Sequence, residues 1–262
     1  MSKAAPLLKL DRVTRRFGGL IAVNDVSFEI NPGEVKGLIG PNGAGKSTTF
    51  DLVTGVRPPS SGDVFFRGER VSDRPAYMRS PMGMARTFQI VRLFSGLSVL
   101  ENVQLGLHPK FPDGIVRSLL SLRALGAQER ASRERAMELL AFVGLADRAG
   151  HAIDQLTLGQ LRMVDIARAL AADPILLMLD EPAAGLNDAE TLNLGDMLSL
   201  LRKRGLSMLL VEHDIDFIMN ACDSIVVMDH GVKIADGTPA EIGRNPDVIA
   251  AYIGRRAANA AA

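Results

Sequence analysis

Gly40-Pro41-Asn42-Gly43-Ala44-Gly45-Lys46-Ser47 is the stretch that decides the fold, because it follows the apolar run Val35 to Ile39 and opens a helical pattern. Strand, glycine-rich loop and helix in that order are the context a phosphate-binding P-loop requires. Glycines let consecutive backbone N–H groups turn inward onto a β-phosphate, and the helix N-terminus adds positive potential. Lys46 is placed to reach the β and γ oxygens, and Ser47 is the expected magnesium ligand. Asn42, Gly43, Ala44, Gly45, Lys46, Ser47 and Thr48 are therefore the nucleotide-binding candidates.

Ile175-Leu176-Leu177-Met178-Leu179-Asp180-Glu181 supplies the second half of the chemistry. A buried strand has no reason to end in two carboxylates unless they are used. Asp180 is expected to hold magnesium through its water shell, and Glu181 to polarise a water toward the γ-phosphate. Alone, such a pair could cap the following helix. Together with the P-loop it points to hydrolysis of ATP or GTP.

Outward from these motifs, Leu7 to Ile30 carries short β-type runs, and Val64-Phe65-Phe66 follows a Ser-Ser-Gly-Asp turn. These predict a small antiparallel sheet beside the phosphate-binding unit. From Ser98, which forms a capping box with Glu101, the character becomes helical, and Arg117 to Phe142 is rich in Ala, Leu, Arg and Glu. His108 to Gly114 reads as a loop. Ile175 to Leu179 and Met208 to Val211 are aliphatic strands separated by a helix with Leu194, Met197, Leu198 and Leu201 on one face. That alternation predicts a parallel sheet. Thr238-Pro239-Ala240-Glu241 and Asn245-Pro246-Asp247 are helix starts, and Ala257 to Ala262 reads as a frayed tail. No internal repeat is present, so one such unit is expected.

Composition narrows the class. Hydrophobic residues are 47% of the 262, yet Trp is absent and Tyr occurs twice, so the core must be aliphatic and Met-rich. Lys plus Arg and Asp plus Glu are 30 each, which leaves no overall field for a nucleic-acid backbone. The single cysteine, Cys222, excludes an internal disulfide, and Met1 to Leu10 lacks a leader-like apolar run. A cytoplasmic location is expected, with membrane association only through a partner, because no apolar run approaches the roughly 20 residues of a span.

Leu156-Thr157-Leu158-Gly159-Gln160 stands about twenty residues before the acid pair and resembles the signature loop of the ATP-binding cassette (ABC) ATPases. That resemblance implies a two-subunit sandwich in which Thr157, Gly159 and Gln160 meet the γ-phosphate of ATP held by the opposite subunit. Leu158 departs from the family's first glycine. Gln89, in Thr87-Phe88-Gln89, resembles the Q-loop glutamine that reaches magnesium and water. His213 resembles the switch histidine on the γ-phosphate, whereas His108, His151 and His230 carry no such match. Ala184-Gly185-Leu186-Asn187 resembles the D-loop, with Asn187 where Asp is usual. Phe17 is placed like the aromatic that stacks on adenine, although a core role suits it nearly as well.

The resemblance runs from Phe17 to about Ile253. It implies a P-loop NTPase (RecA-like) α/β core with a parallel sheet, an N-terminal antiparallel β subdomain and an α-helical ABC subdomain. In residues, 7–90 and 165–235 form the core with its β lobe, 91–164 the helical lobe, and 238–256 the C-terminal helices. Ala85-Arg86-Thr87-Phe88-Gln89, Glu181 to Asn187 and Gly237 to Ile242 look like the ATPase subunits of branched-chain amino acid importers. The implied cofactors are ATP and Mg²⁺. The implied partners are transmembrane permease subunits near Gln89, a second ABC ATPase subunit, and indirectly a solute-binding protein, at the cytoplasmic face of the inner membrane. Importers of urea, amides or aromatic acids and a lipopolysaccharide exporter are similar. A soluble, non-transport ABC ATPase acting on nucleic acid or ribosomes is disfavoured by the zero net charge and the single cassette.

Overall fold

The computed structural model describes residues 5–89, 91–107 and 122–259. The chain opens with β1 (Leu8–Phe17), β2 (Leu20–Ile30) and β3 (Val35–Ile39), and the P-loop then leads into α1 (Lys46–Thr54). β4 (Ser61–Phe66), β5 (Glu69–Arg70), α2 (Ala76–Arg79) and β6 (Met84–Arg86) follow. Next come α3 (Val99–Leu105), α4 (Leu122–Phe142) and α5 (Leu158–Ala171). Strands β7 (Leu176–Asp180) and β8 (Ser207–Val211) flank α6 (Asp188–Lys203). The chain continues through α7 (Ile215–Ala221), β9 (Ser224–Asp229), β10 (Val232–Gly237), α8 (Pro239–Ile242) and α9 (Pro246–Asn259).

Two sheets form, as the alternation of motifs predicts. One is antiparallel with order β2-β1-β4-β5; the other has order β10-β9-β3-β8-β7-β6 and is parallel except for β10 at its edge. Every residue of β3, β7 and β8 is buried, so these strands read as apolar runs rather than alternating ones. The two-residue period sorts their side chains between layers. Val35, Leu177, Leu179, Met208, Leu210 and Val227 face the helical layer of α3 to α7. Leu38, Leu176, Met178, Leu209, Val211 and Val226 face α1 and the antiparallel sheet. Lys36 is the exception inside β3: it is buried, and its ammonium pairs at 3.3 Å with both Glu34 and Asp236.

Several sequence expectations land within a residue. β3 has the expected bounds, while β7 begins one residue later than expected, at Leu176, with the N–H groups of Ile175 and Leu176 both donating to the Gly83 carbonyl. The capping boxes at Ser98 and Thr238 form, and Leu194, Met197, Leu198 and Leu201 are the buried face of α6. The expected loop His108 to Gly114, the first residues of the stretch from Arg117, and Ala260 to Ala262 lie outside the described residues; Ala257 to Asn259, expected to fray, instead close helix α9. Among the described residues no helix is long and apolar enough to cross a membrane.

Candidate functional site

β8 lies between β3 and β7, so the segments leaving these three strands open at one end of the sheet. Ligands in parallel α/β sheets bind at that end. The P-loop after β3 turns through glycines that no other residue replaces easily. Gly40 has φ 153° and a Cβ there would overlap the Met228 carbonyl; Gly45 has φ 97° and a Cβ would lie 2.5 Å from the Ala22 carbonyl. Gly43, at φ 80°, has nothing within 4 Å of its Cβ position, so that side of the loop is open for close approach. Lys46 is buried, and its Nζ donates to the carbonyls of Gly40 (2.7 Å) and Pro41 (3.1 Å). A cleft of about 550 Å³ lies against this loop, walled by Asn42, Gly43, Ala44, Gly45, Lys46, Ser47 and Thr48 together with Gln89 and Glu181.

Asp180 ends β7 with 8% exposure. Burial pushes its carboxyl pKa up to about 6; Arg86 opposes that rise, and the negative charges of Glu181 and Asp51 add to it. Glu181 takes a left-handed conformation, φ 47°, held by its N–H donating to the Val211 carbonyl at 2.8 Å. A left-handed non-glycine residue is strained, and here the turn swings Glu181 from the strand toward the cleft. Gln89 Nε2 donates to Glu181 Oε2 at 3.0 Å, which joins two residues 92 apart in sequence.

The donor set suits magnesium. A serine hydroxyl, an amide oxygen and a buried carboxylate are hard oxygen ligands, and a cation there would offset the burial and the neighbouring negative charges that raise the Asp180 pKa. Among the described residues no cluster of three or more His, Cys, Asp or Glu forms a cage. A single-carboxylate site that shares its ion with phosphates is the arrangement typical of magnesium.

His213 follows β8 with a half-exposed side chain, its Nδ1 3.6 Å from Glu212 Oε2, and it does not line the cleft. Glu212, which no sequence signal singled out, is fully buried. It accepts from the backbone N–H groups of Ala183 (2.7 Å) and His213 (3.1 Å), and its pKa is raised by burial. It thereby braces the segment after Glu181 against the one bearing His213.

Thr157, Gly159 and Gln160 start α5, where Thr157 and Gln160 form a reciprocal capping box. None of the three lines the P-loop cleft of its own chain. Leu158 is exposed and packs toward Gly185, whose Cβ position is 2.8 Å from Leu158 Cδ2. Asn187 caps α6. Phe17 is not among the cleft walls either; the guanidiniums of Arg15 and Arg57 sit over its ring at 4.8 and 5.3 Å. The wall on that side is Leu20, Ile21 and Ala22 with His230 and Gly231, where the β9–β10 turn is pinned by Gly231 N–H donating to the Ala44 carbonyl. No local motif marks His230, because its position depends on a strand pairing 190 residues downstream of the loop. A separate groove of about 560 Å³ runs between α2, the segment after Gln89 and α5, with Tyr77, Phe94 and Leu105 exposed along it.

Residues 23–184 match the family described as "ABC transporter", and residues 232–258 match "Branched-chain amino acid ATP-binding cassette transporter". The chain is 40% identical over 250 residues to the high-affinity branched-chain amino acid transport ATP-binding protein LivG of Escherichia coli, covering 95% of this chain and 98% of that one. It is likewise 40% identical to BraF of Pseudomonas aeruginosa over the same shares. The lipopolysaccharide export ATP-binding protein LptB of E. coli is 33% identical over 94% of this chain and 97% of its own length. Among solved structures, a nucleotide-free ATP-binding cassette from an ABC transporter superposes with a TM-score of 0.82 at 29% identity, covering 95% and 99% of the two chains. With P-loop, Glu181 and Gln89 gathered on one cleft and these relatives matched over nearly their whole length, the chain belongs to the ABC transporter family and is its ATP-binding, ATP-hydrolysing subunit.

Proposed function

We propose that this subunit powers uptake of branched-chain or related hydrophobic amino acids. The observation that carries this reading is the match of residues 232–258 to the branched-chain transporter family, on top of 40% identity to LivG and BraF over 95% of the chain. LptB, at 33%, keeps lipopolysaccharide export as the second reading.

In the proposed cycle the P-loop N–H groups and Lys46 bind the β and γ phosphates, and Lys46 exchanges its two carbonyl partners for phosphate oxygens. Ser47, Asp180 and Gln89 would hold Mg²⁺, which supplies charge neutralisation on the phosphates. Glu181 takes the proton side of water attack, oriented by the Gln89 amide, and His213 donates to the γ-phosphate. Thr157, Gly159 and Gln160 serve the site of a second ABC ATPase subunit, which is why their own cleft lacks them. Permease subunits would seat in the groove beside Tyr77, Phe94 and Leu105 and keep the protein at the cytoplasmic membrane face, with a solute-binding protein delivering the ligand outside. Phe17 stacks on adenine only after Arg15 and Arg57 move off its ring.

The test is radiolabelled leucine and valine uptake in cells lacking the subunit. Restoration by the native chain but not by Lys46→Ala is the expected result. Unchanged uptake accompanied by an envelope defect would replace this reading with export.

A further inference from the structure

Helix α5 carries more than the signature loop at its start. Arg162, Asp165 and Arg168, spaced three apart, all turn to the segment around Gln89. Arg162 Nη1 donates to the Gln89 carbonyl at 3.1 Å, Asp165 Oδ2 accepts from the Phe88 N–H at 3.4 Å, and Arg168 Nη1 donates to the Arg92 carbonyl at 2.7 Å. Arg168 Nη2 also donates to Asp165 Oδ1 at 2.5 Å, so the rungs are joined. Arg162 and Asp165 are 6% and 2% exposed. The second arm of the Arg162 fork, Nη2, donates to the Ala184 carbonyl at 3.2 Å, three residues past Glu181.

These contacts close a ring. Arg162 holds the backbone of Gln89 with one nitrogen and the backbone beyond Glu181 with the other, and the side chains of Gln89 and Glu181 meet at 3.0 Å. A planar guanidinium suits two acceptors at fixed spacing, which a lysine ammonium does not. The Asp165 and Asp180 carboxylates feel its charge, but the guanidinium donates to backbone carbonyls and its Nε is buried without a partner, so packing explains the position poorly.

We propose that Arg162 is a positioning residue for ATP hydrolysis, and that the Arg162–Asp165–Arg168 ladder makes the Gln89–Glu181 contact move with the signature helix. A subunit engaging the signature loop at one end of α5 would thus set the geometry of this chain's own hydrolytic pair. The inference rests on the proposed roles of Gln89 and Glu181.

The experiment is a double-mutant cycle on the purified full chain with Mg²⁺ATP, reading kcat, KM and thermal midpoint for Arg162→Met, Gln89→Ala and the pair. Arg162→Met is expected to lower kcat about tenfold with KM for ATP unchanged, as loss of a charge-assisted contact would. In the Gln89→Ala background it should add nothing, since both act through one contact. Arg162→Lys, which keeps the charge and one of the two contacts, should fold and give an intermediate kcat, and it carries the test if the Met variant does not fold. Multiplying effects of Arg162→Met and Gln89→Ala, or a lowered thermal midpoint with native kcat, would overturn the ladder while leaving the hydrolytic reading intact. Native kcat in Gln89→Ala alone would instead remove the role of Gln89 and the inference with it.

Discussion

Asp180 shows what the site costs at the scale of one residue. Its pKa of about 6 stands above the ordinary 3.8, so the native state keeps a proton that the unfolded chain has already released over that range. This contribution to stability is complete below about pH 4 and is lost as pH rises through about 6. Asp180→Asn removes the buried charge, and its unfolding free energy from urea titration in metal-free buffer at neutral pH should exceed the native one by roughly 2–3 kcal/mol, with the gap closing near pH 4. A gap constant across pH would contradict the burial argument. Cys222 is a second residue-scale case, because burial, aided by Asp223, pushes its thiol up to about 12. A neutral, buried thiol is a poor nucleophile. Maleimide labelling is expected only after unfolding, and rapid labelling of the native protein would show that the α7 contact with β3 opens.

Elements are held by contacts of two kinds. Thr157 caps α5 through a local box, so Thr157→Ala should cost about 1 kcal/mol in thermal or urea unfolding while Thr157→Ser costs little. If the hydroxyl also serves a partner's ATP, the alanine variant loses ATPase activity beyond what that small destabilisation explains. Arg79 is long-range: it is 1% exposed and donates to the carbonyls of Leu52, Val53, Val71, Ser72 and Arg74, tying the end of α1 to the segment before α2. Burial lowers its pKa to about 10, which leaves it charged at neutral pH. Arg79→Met should destabilise the fold by roughly 3 kcal/mol, because it strands buried carbonyls with no donor. Legibility in the sequence divides along the same line. Val35 to Ile39, the boxes at Ser98 and Thr238, and the P-loop are written in neighbouring residues, and so they could be read. The three-residue β6, the ring around Arg162 and the place of His230 against the P-loop are set by partners many tens of residues away, and no periodicity announces them. The two arginines over the Phe17 ring are likewise not announced by spacing in the sequence.

At the scale of the molecule, the parallel sheet fixes the P-loop, Glu181 and Gln89 on one cleft, whose walls do not include Thr157, Gly159 or Gln160. On the proposed reading a second subunit would complete the site, and the exposed groove at Tyr77, Phe94 and Leu105 would carry closure to a membrane partner. Glu181→Gln should bind ATP and stall in the closed state, because the water-activating carboxylate is gone while the phosphate-binding groups remain. The most direct measurement is therefore to tag the Glu181→Gln chain, extract membranes gently with ATP present, and identify what is recovered with it. The account predicts two multi-span permeases and a second ABC ATPase subunit; recovery of soluble proteins alone would contradict it.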